Sequence, residues 1–225
     1  MSWTRAREWL APSVRVGLAE LPLHGQDRSL VDLDLGLFGV FDGVGAFERS
    51  GEAAQLAAEV VAASCRRGSL APLEAMAAGC ARADFLIREQ ALGATTATLA
   101  WVVDAQLLYV SVGDSRLYHQ PTGGSPLVQV TVDEGEGNVL FNALGADPRW
   151  GGNSVAPQRG ALALSAGDRL LLVTDGITGD FEPDLLTARE LAVAIEGDDP
   201  QRAADQLVVS ARKRDDRTAL VIFLE

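Results

Sequence analysis

The chain has 225 residues, 48% of them hydrophobic, and its 31 acidic side chains against 19 basic ones give a formal charge of -12. A chain of that length can bury one substantial core, so a single domain over residues 1–225, with 1–13 as an N-terminal extension, is expected. A negative field of that size repels nucleic-acid backbones and anionic lipid headgroups, which argues against both as partners.

Residues 1–13 contain no long apolar run of the kind a secretory signal needs, and no later stretch approaches about 18 uninterrupted apolar residues. A cytoplasmic, monomeric protein is the expectation. Taken in chain order, Val- and Leu-rich runs bounded by Gly, Pro or Asp predict strands at 14–20, 33–41, 95–103, 106–112, 127–132, 169–174 and 218–224. Alanine- and leucine-rich stretches with charges at helical spacing predict helices at 48–67, 72–90, 183–195 and 200–213. Cys65 and Cys80 fall inside the first two helices, where a free cysteine acts as a small buried hydrophobe. The strands come in blocks joined by short turns rather than in βαβ alternation, so antiparallel pairing in an α+β sandwich flanked by helices is predicted.

Four aspartates stand where an apolar strand or a helix ends: Asp42 in GVFDGVG, Asp114 in SVGDSRLY, Asp175 in LLVTDGIT and Asp215 in KRDDRTALV. Asp27 precedes a further apolar run. One Asp-Gly after a strand is ordinary turn chemistry. Several carboxylates at the ends of buried strands are another matter, because each is partly desolvated and together they require a cation. With His24 and His119 the only histidines, an all-oxygen set selects Mn2+ or Mg2+ rather than zinc. Two such ions can activate a water and clamp phosphate oxygens during in-line displacement.

The ordered series FGVFDGVG, GATTATLAWV, YVSVGDSRLY, ALG, GDRLLLVTDGI and DDRTALVIF resembles the signature motifs of the PPM (PP2C-like) metal-dependent serine/threonine protein phosphatases, in the same order and over residues 14–225. The resemblance implies an α-β-β-α sandwich of two antiparallel sheets with metals in a cleft at one end. It implies that Asp42 bridges two ions, that the Gly43 carbonyl ligates one of them, and that Asp175 and Asp215 complete the pair. Asp27 matches an aspartate acting directly or through water, and Asp114 matches the residue linked to a third, weaker ion in bacterial members. The implied partners are a phosphoprotein substrate and an opposing bacterial Ser/Thr kinase.

The chain departs from the pattern in places. Val44 stands where many relatives carry a histidine proposed to protonate the leaving alcohol, and Pro22 stands where an arginine usually holds substrate phosphate. His24 or Arg28 is the candidate replacement for that arginine. Gln26 and Ala46 are milder departures, and 131–145 is shorter than the usual flap-bearing stretch, which predicts a more open site. These changes motivate an alternative, a catalytically weak or inactive phosphoprotein-binding module of the same fold. The presence of Asp114 argues against the anti-sigma-pathway phosphatases, which generally lack it.

Overall fold

The computed structural model describes residues 13–137, 139–146 and 155–225. The expected extension 1–13, apart from Ser13, lies outside the described residues, as does Asn138 within the shortened flap stretch. Strands β1 (Val14–Leu21), β2 (Arg28–Asp32) and β3 (Leu37–Phe41) are followed by helices α1 (Ser50–Arg66) and α2 (Pro72–Glu89). Then come β4 (Ala97–Val103), β5 (Gln106–Val112), β6 (Arg116–Gln120), β7 (Val128–Gln129), the short β8 (Gly135–Glu136) and β9 (Val139–Leu140), β10 (Gln158–Ala163) and β11 (Arg169–Val173). The chain closes with α3 (Asp175–Thr178), α4 (Ala188–Ala194), α5 (Pro200–Ser210) and β12 (Arg217–Leu224).

Two five-stranded sheets form, in the orders β1-β12-β11-β6-β7 and β10-β5-β4-β3-β2, and every pairing in them is antiparallel. The central strands are apolar on both faces because each face meets a different layer. Leu170, Leu172, Leu220 and Ile222 of one sheet pack with Phe38, Val40, Ala100 and Val102 of the other. Their alternates Leu171, Val173, Ala219 and Val221 pack instead against Leu191, Ala203, Ala204 and Leu207 of α4 and α5. On the far side Leu37, Phe41, Leu99 and Trp101 meet the alanine stripe of α1 and the Met76, Cys80, Ala83 and Ile87 face of α2. A period of two with both phases apolar thus explains the unbroken hydrophobic runs. The predicted helix-sheet-sheet-helix order is the observed one. Burial pushes the thiols of Cys65 and Cys80 up to about 12, so they sit in this packing as inert hydrophobes.

Gly17 of β1 lets α5 approach: a Cβ there would lie 2.1 Å from the Pro200 carbonyl oxygen. The helix enters through Asp199, whose carboxylate caps the amides of Gln201 and Arg202, with Pro200 in the first turn.

Several boundaries differ from the sequence expectation. The run expected as one strand at 33–41 forms β3 only over Leu37–Phe41, and residues 33–36 are the turn back from β2, because Asp32 accepts the Leu35 amide at 3.2 Å and Gly36 turns the chain at φ +68. β2, β6, β10 and the short β8 and β9 were not predicted; β10 is a half-exposed edge strand whose residues alternate between intermediate and exposed, and it lacks an apolar run. The helix expected at 183–195 forms only over Ala188–Ala194, since Thr187 and Glu190 make a capping box that fixes its start. The helix expected to reach 213 stops at Ser210, and residues 211–216 form an irregular segment leading into β12.

Candidate metal centre

Asp42 leaves the end of β3 with its backbone held on both sides. Its amide donates to the Thr96 hydroxyl at 2.9 Å, and its carbonyl accepts the Thr95 hydroxyl at 2.9 Å and the Thr96 amide at 2.8 Å. Thr95 also exchanges backbone bonds with Leu144, which ties in the ALG piece. The Thr96 hydroxyl shares a 2.8 Å bond with Ser115, so the turn carrying Asp114 is latched to the same threonine pair. Gly43 cannot be larger, since a Cβ would lie 2.8 Å from the backbone of Ser50. The motif threonines and glycine therefore place two carboxylates, at the end of β3 and in the β5–β6 turn.

Asp27 arrives from a loop that has little secondary structure of its own. Asp216, only 2% exposed, holds that loop: its Oδ1 accepts the amides of Leu23 at 2.6 Å and His24 at 2.5 Å, and its Oδ2 accepts those of Gln26 and of Asp27 at 3.2 Å. Asp27 Oδ2 then accepts the hydroxyls of Thr174 and Thr218, both at 2.8 Å, while its Oδ1 is buried without a hydrogen-bond partner. Asp175 begins α3 immediately after β11. Its neighbour Gly176 is required by contact, because a Cβ there would fall 1.8 Å from the Asp216 carbonyl oxygen. The 174–176 and 215–218 segments are thereby pressed together.

The electrostatics show that these carboxylates share one region. Burial pushes Asp27 up to about 7 against the opposing pull of its two threonine bonds, with the charges of Asp216 and Asp175 adding to the rise. Asp114 is also pushed up to about 7, by burial first and then by Asp175, Asp133 and Asp180. Asp42 rises well above the ordinary carboxylate range through burial and the charges of Asp175, Asp27 and Asp114. Asp175 rises by burial even though Lys213 opposes it. Groups that raise one another in this way carry more negative charge than the one ammonium of Lys213 offsets.

Among the described residues no three acidic, histidine or cysteine side chains are grouped so as to hold a metal ion directly. Three carboxylates, those of Asp175, Asp180 and Asp215, instead close around the Lys213 ammonium. The donor set nonetheless fits a hard divalent ion: it is all oxygen, it contains the orphaned Asp27 Oδ1, and burial disfavours its members' charged forms in the absence of a counter-charge. A small cleft lined by Asp114, Arg116, Asp133, Asp175 and Asp180 opens beside it. Arg116 is held by Asp133 through three contacts of 2.6 to 3.0 Å. A larger groove runs between α4 and α5, and none of the site aspartates lines it.

Of the residues singled out from sequence, Asp27, Asp42, Asp114 and Asp175 are gathered together, and Asp215 joins them through Lys213 at 3.1 Å. Gly43 bridges Thr95 beside Asp42. His24 is exposed on the loop that Asp216 holds. Arg28 points its guanidinium at the carbonyls of Gly25 (2.9 Å) and Asp27 (2.5 Å) and at Gln55 (2.9 Å), which fastens that loop to α1. Sequence reasoning missed Lys213, Asp180 and Asp216. The signal for the last was the second carboxylate of the Asp215–Asp216 pair.

The Protein phosphatase 2C family model matches residues 23–210, well over half of the chain, and ends before the segment that carries Lys213 and Asp215. Protein phosphatase PhpP of Streptococcus pneumoniae is 29% identical over 127 residues, which are 48% of this chain and 47% of that protein. The match thus spans about half the length of that curated relative. Among solved structures, PppA, a regulatory component of T6SS in Pseudomonas aeruginosa, superimposes with a TM-score of 0.79 at 22% identity, covering 94% of this chain and 98% of that one. The PPM Ser-Thr phosphatase MsPP from Mycobacterium smegmatis, in complex with cacodylate, gives 0.77 at 25% identity, with 95% and 98% covered. The catalytic domain of the serine threonine protein phosphatase PstP, in complex with two manganese ions, gives 0.72 at 20% identity, with 94% and 98% covered. The chain belongs to the protein phosphatase 2C family.

Proposed function

We propose that this chain, as one domain, hydrolyses phosphoserine and phosphothreonine in proteins with Mn2+ or Mg2+, opposing a bacterial Ser/Thr kinase in the cytoplasm. The observation that carries the reading is the set of buried carboxylates, Asp27, Asp42, Asp114 and Asp175, that raise one another's pKa at the ends of the sheets. No helix among the described residues is long and apolar enough to cross a membrane.

Asp42 and the Gly43 carbonyl, with Asp175 and Asp215, would hold the two core ions; Asp27 would support them, and Asp114 would hold a third. When bound, such ions supply Lewis acidity that activates water and offsets phosphate charge. Thr174 and Thr218 fix one oxygen of Asp27 and leave the other buried and free to ligate an ion. Asp216 holds the 23–27 loop through four of its amides, and Arg28 fastens the same loop to α1; His24 or Arg28 would be the group that meets substrate phosphate in place of the arginine absent at Pro22. Val44 follows the Asp42–Gly43 pair and has no ionisable proton to donate, so that side chain offers no help to a departing alkoxide.

The alternative, a weak or inactive phosphoprotein-binding module, is favoured by Lys213 lying among the proposed ligands and by Val44 and Pro22. Release of phosphate from a phosphothreonine peptide, followed as Mn2+ is added, separates the two. Metal-dependent turnover that Asp42→Asn reduces by a factor of about a thousand or more supports the enzyme; binding of the peptide without turnover supports the module.

A further inference from the structure

Lys213 lies in the irregular segment between α5 and β12, its side chain 18% exposed. Its ammonium meets Asp175 Oδ2, Asp180 Oδ2 at 3.0 Å and Asp215 Oδ2 at 3.1 Å. An ammonium has three donors, and here three carboxylates receive it. Lys213 is thus a fixed monovalent cation inside the acidic centre.

Two of its three partners are the carboxylates assigned above to the core ions. A divalent ion seated on Asp175 and Asp215 would compete for the same oxygens and repel the ammonium, so entry of the metal requires Lys213 to give up those contacts. Asp180, which the core assignment does not use, leaves the displaced ammonium one partner. We propose that Lys213 is a tethered competitor of the metal: it offsets part of the centre's negative charge when chelators strip the ions, and it lowers the affinity with which they return. The proposal rests on the reading of Asp175 and Asp215 as metal ligands. Binding at mutually exclusive positions is negative coupling, and removing one competitor tightens the other.

The test is Mn2+ binding by calorimetry to the full chain, wild type against Lys213→Met and Lys213→Gln, with thermal melting of each in EDTA. The expected result is Mn2+ affinity raised within the roughly 5- to 150-fold range typical of coupled sites, together with a lower melting temperature in EDTA. Lys213→Arg, which keeps the charge, should bind Mn2+ close to the wild-type affinity. Either neutral variant, if folded, serves for the comparison. Unchanged or weaker Mn2+ binding in the neutral variants, with clear binding by the wild type, overturns this proposal and leaves the metal centre standing. Absence of Mn2+ binding in wild type and neutral variants alike overturns both.

Discussion

Replacing Asp216 by alanine should unfasten the loop that delivers Asp27. The carboxylate is 2% exposed and accepts four backbone amides, from Leu23, His24, Gln26 and Asp27. Hydrogen bonds to a charged group are worth about 1.5–3 kcal/mol each, but they are not additive here. Leu23 and His24 are exposed, so their amides regain water, whereas Gln26 and Asp27 are half-buried and regain less. A loss of about 2–4 kcal/mol follows. For a chain of this size that corresponds to a fall of about 5–15 °C in melting temperature. Asp216→Asn keeps one acceptor oxygen and should lose roughly half as much. Urea unfolding in EDTA measures both, with an unchanged m-value confirming that the native state itself was destabilised. The effect should also fade in acid. Burial alone would raise the Asp216 pKa, but the amides of His24, Gln26 and Asp27 hold it below the ordinary 3.8, so its contribution is present above that value and is lost as pH falls through the lowered pKa. A cost below about 0.5 kcal/mol for Asp216→Ala would refute the claim that these bonds hold the loop, because that is the range of surface substitutions without structural consequence.

The opposite pH dependence belongs to the raised carboxyls. Asp27 and Asp114, at about 7 in the fold against 3.8 unfolded, keep protons that the unfolded chain releases, so chelated protein should lose stability as pH rises from about 4 to 7, and saturating Mn2+ should flatten that slope. Melting temperatures in EDTA that stay level or rise over that range would contradict it. With no proton donor at Val44, turnover should favour aryl phosphates over phosphoserine peptides, and Val44→His should narrow the gap. Pro22→Arg should lower KM for both substrates by about ten- to a hundredfold, the worth of one charge-assisted contact. Equal wild-type rates on the two substrates at low KM would remove the basis for both variants.

Much of the sandwich was legible because its central strands are apolar on both phases, and runs as short as Arg169–Val173 or Arg217–Leu224 favour a buried strand over a helix by their length. β10 was missed because an edge strand with alternating exposure carries little apolar signal. β2 was missed and the expected strand began four residues too early, at Leu33, because the turn that Asp32 and Gly36 make carries apolar residues that extend the run of β3. Asp42, Asp114 and Asp175 could be found because each follows a buried strand at a glycine-bearing turn. Lys213 could not, since its role depends on α5 stopping at Ser210 instead of continuing to 213. In the expected longer helix the same side chain would have read as a solvated surface charge. Asp216 was hidden for a related reason: its partners lie about 190 residues earlier in the chain, and no local pattern marks contacts of that range.

The most direct test of the metal centre is anomalous diffraction at the manganese edge from crystals of the full chain grown with MnCl2. Two peaks bounded by Asp42, Asp175 and Asp215, with the Lys213 ammonium moved off Asp175 and Asp215, are the predicted result. Crystals at saturating Mn2+ with no peak among these carboxylates, and Lys213 still bound to Asp175 and Asp215, would contradict the account.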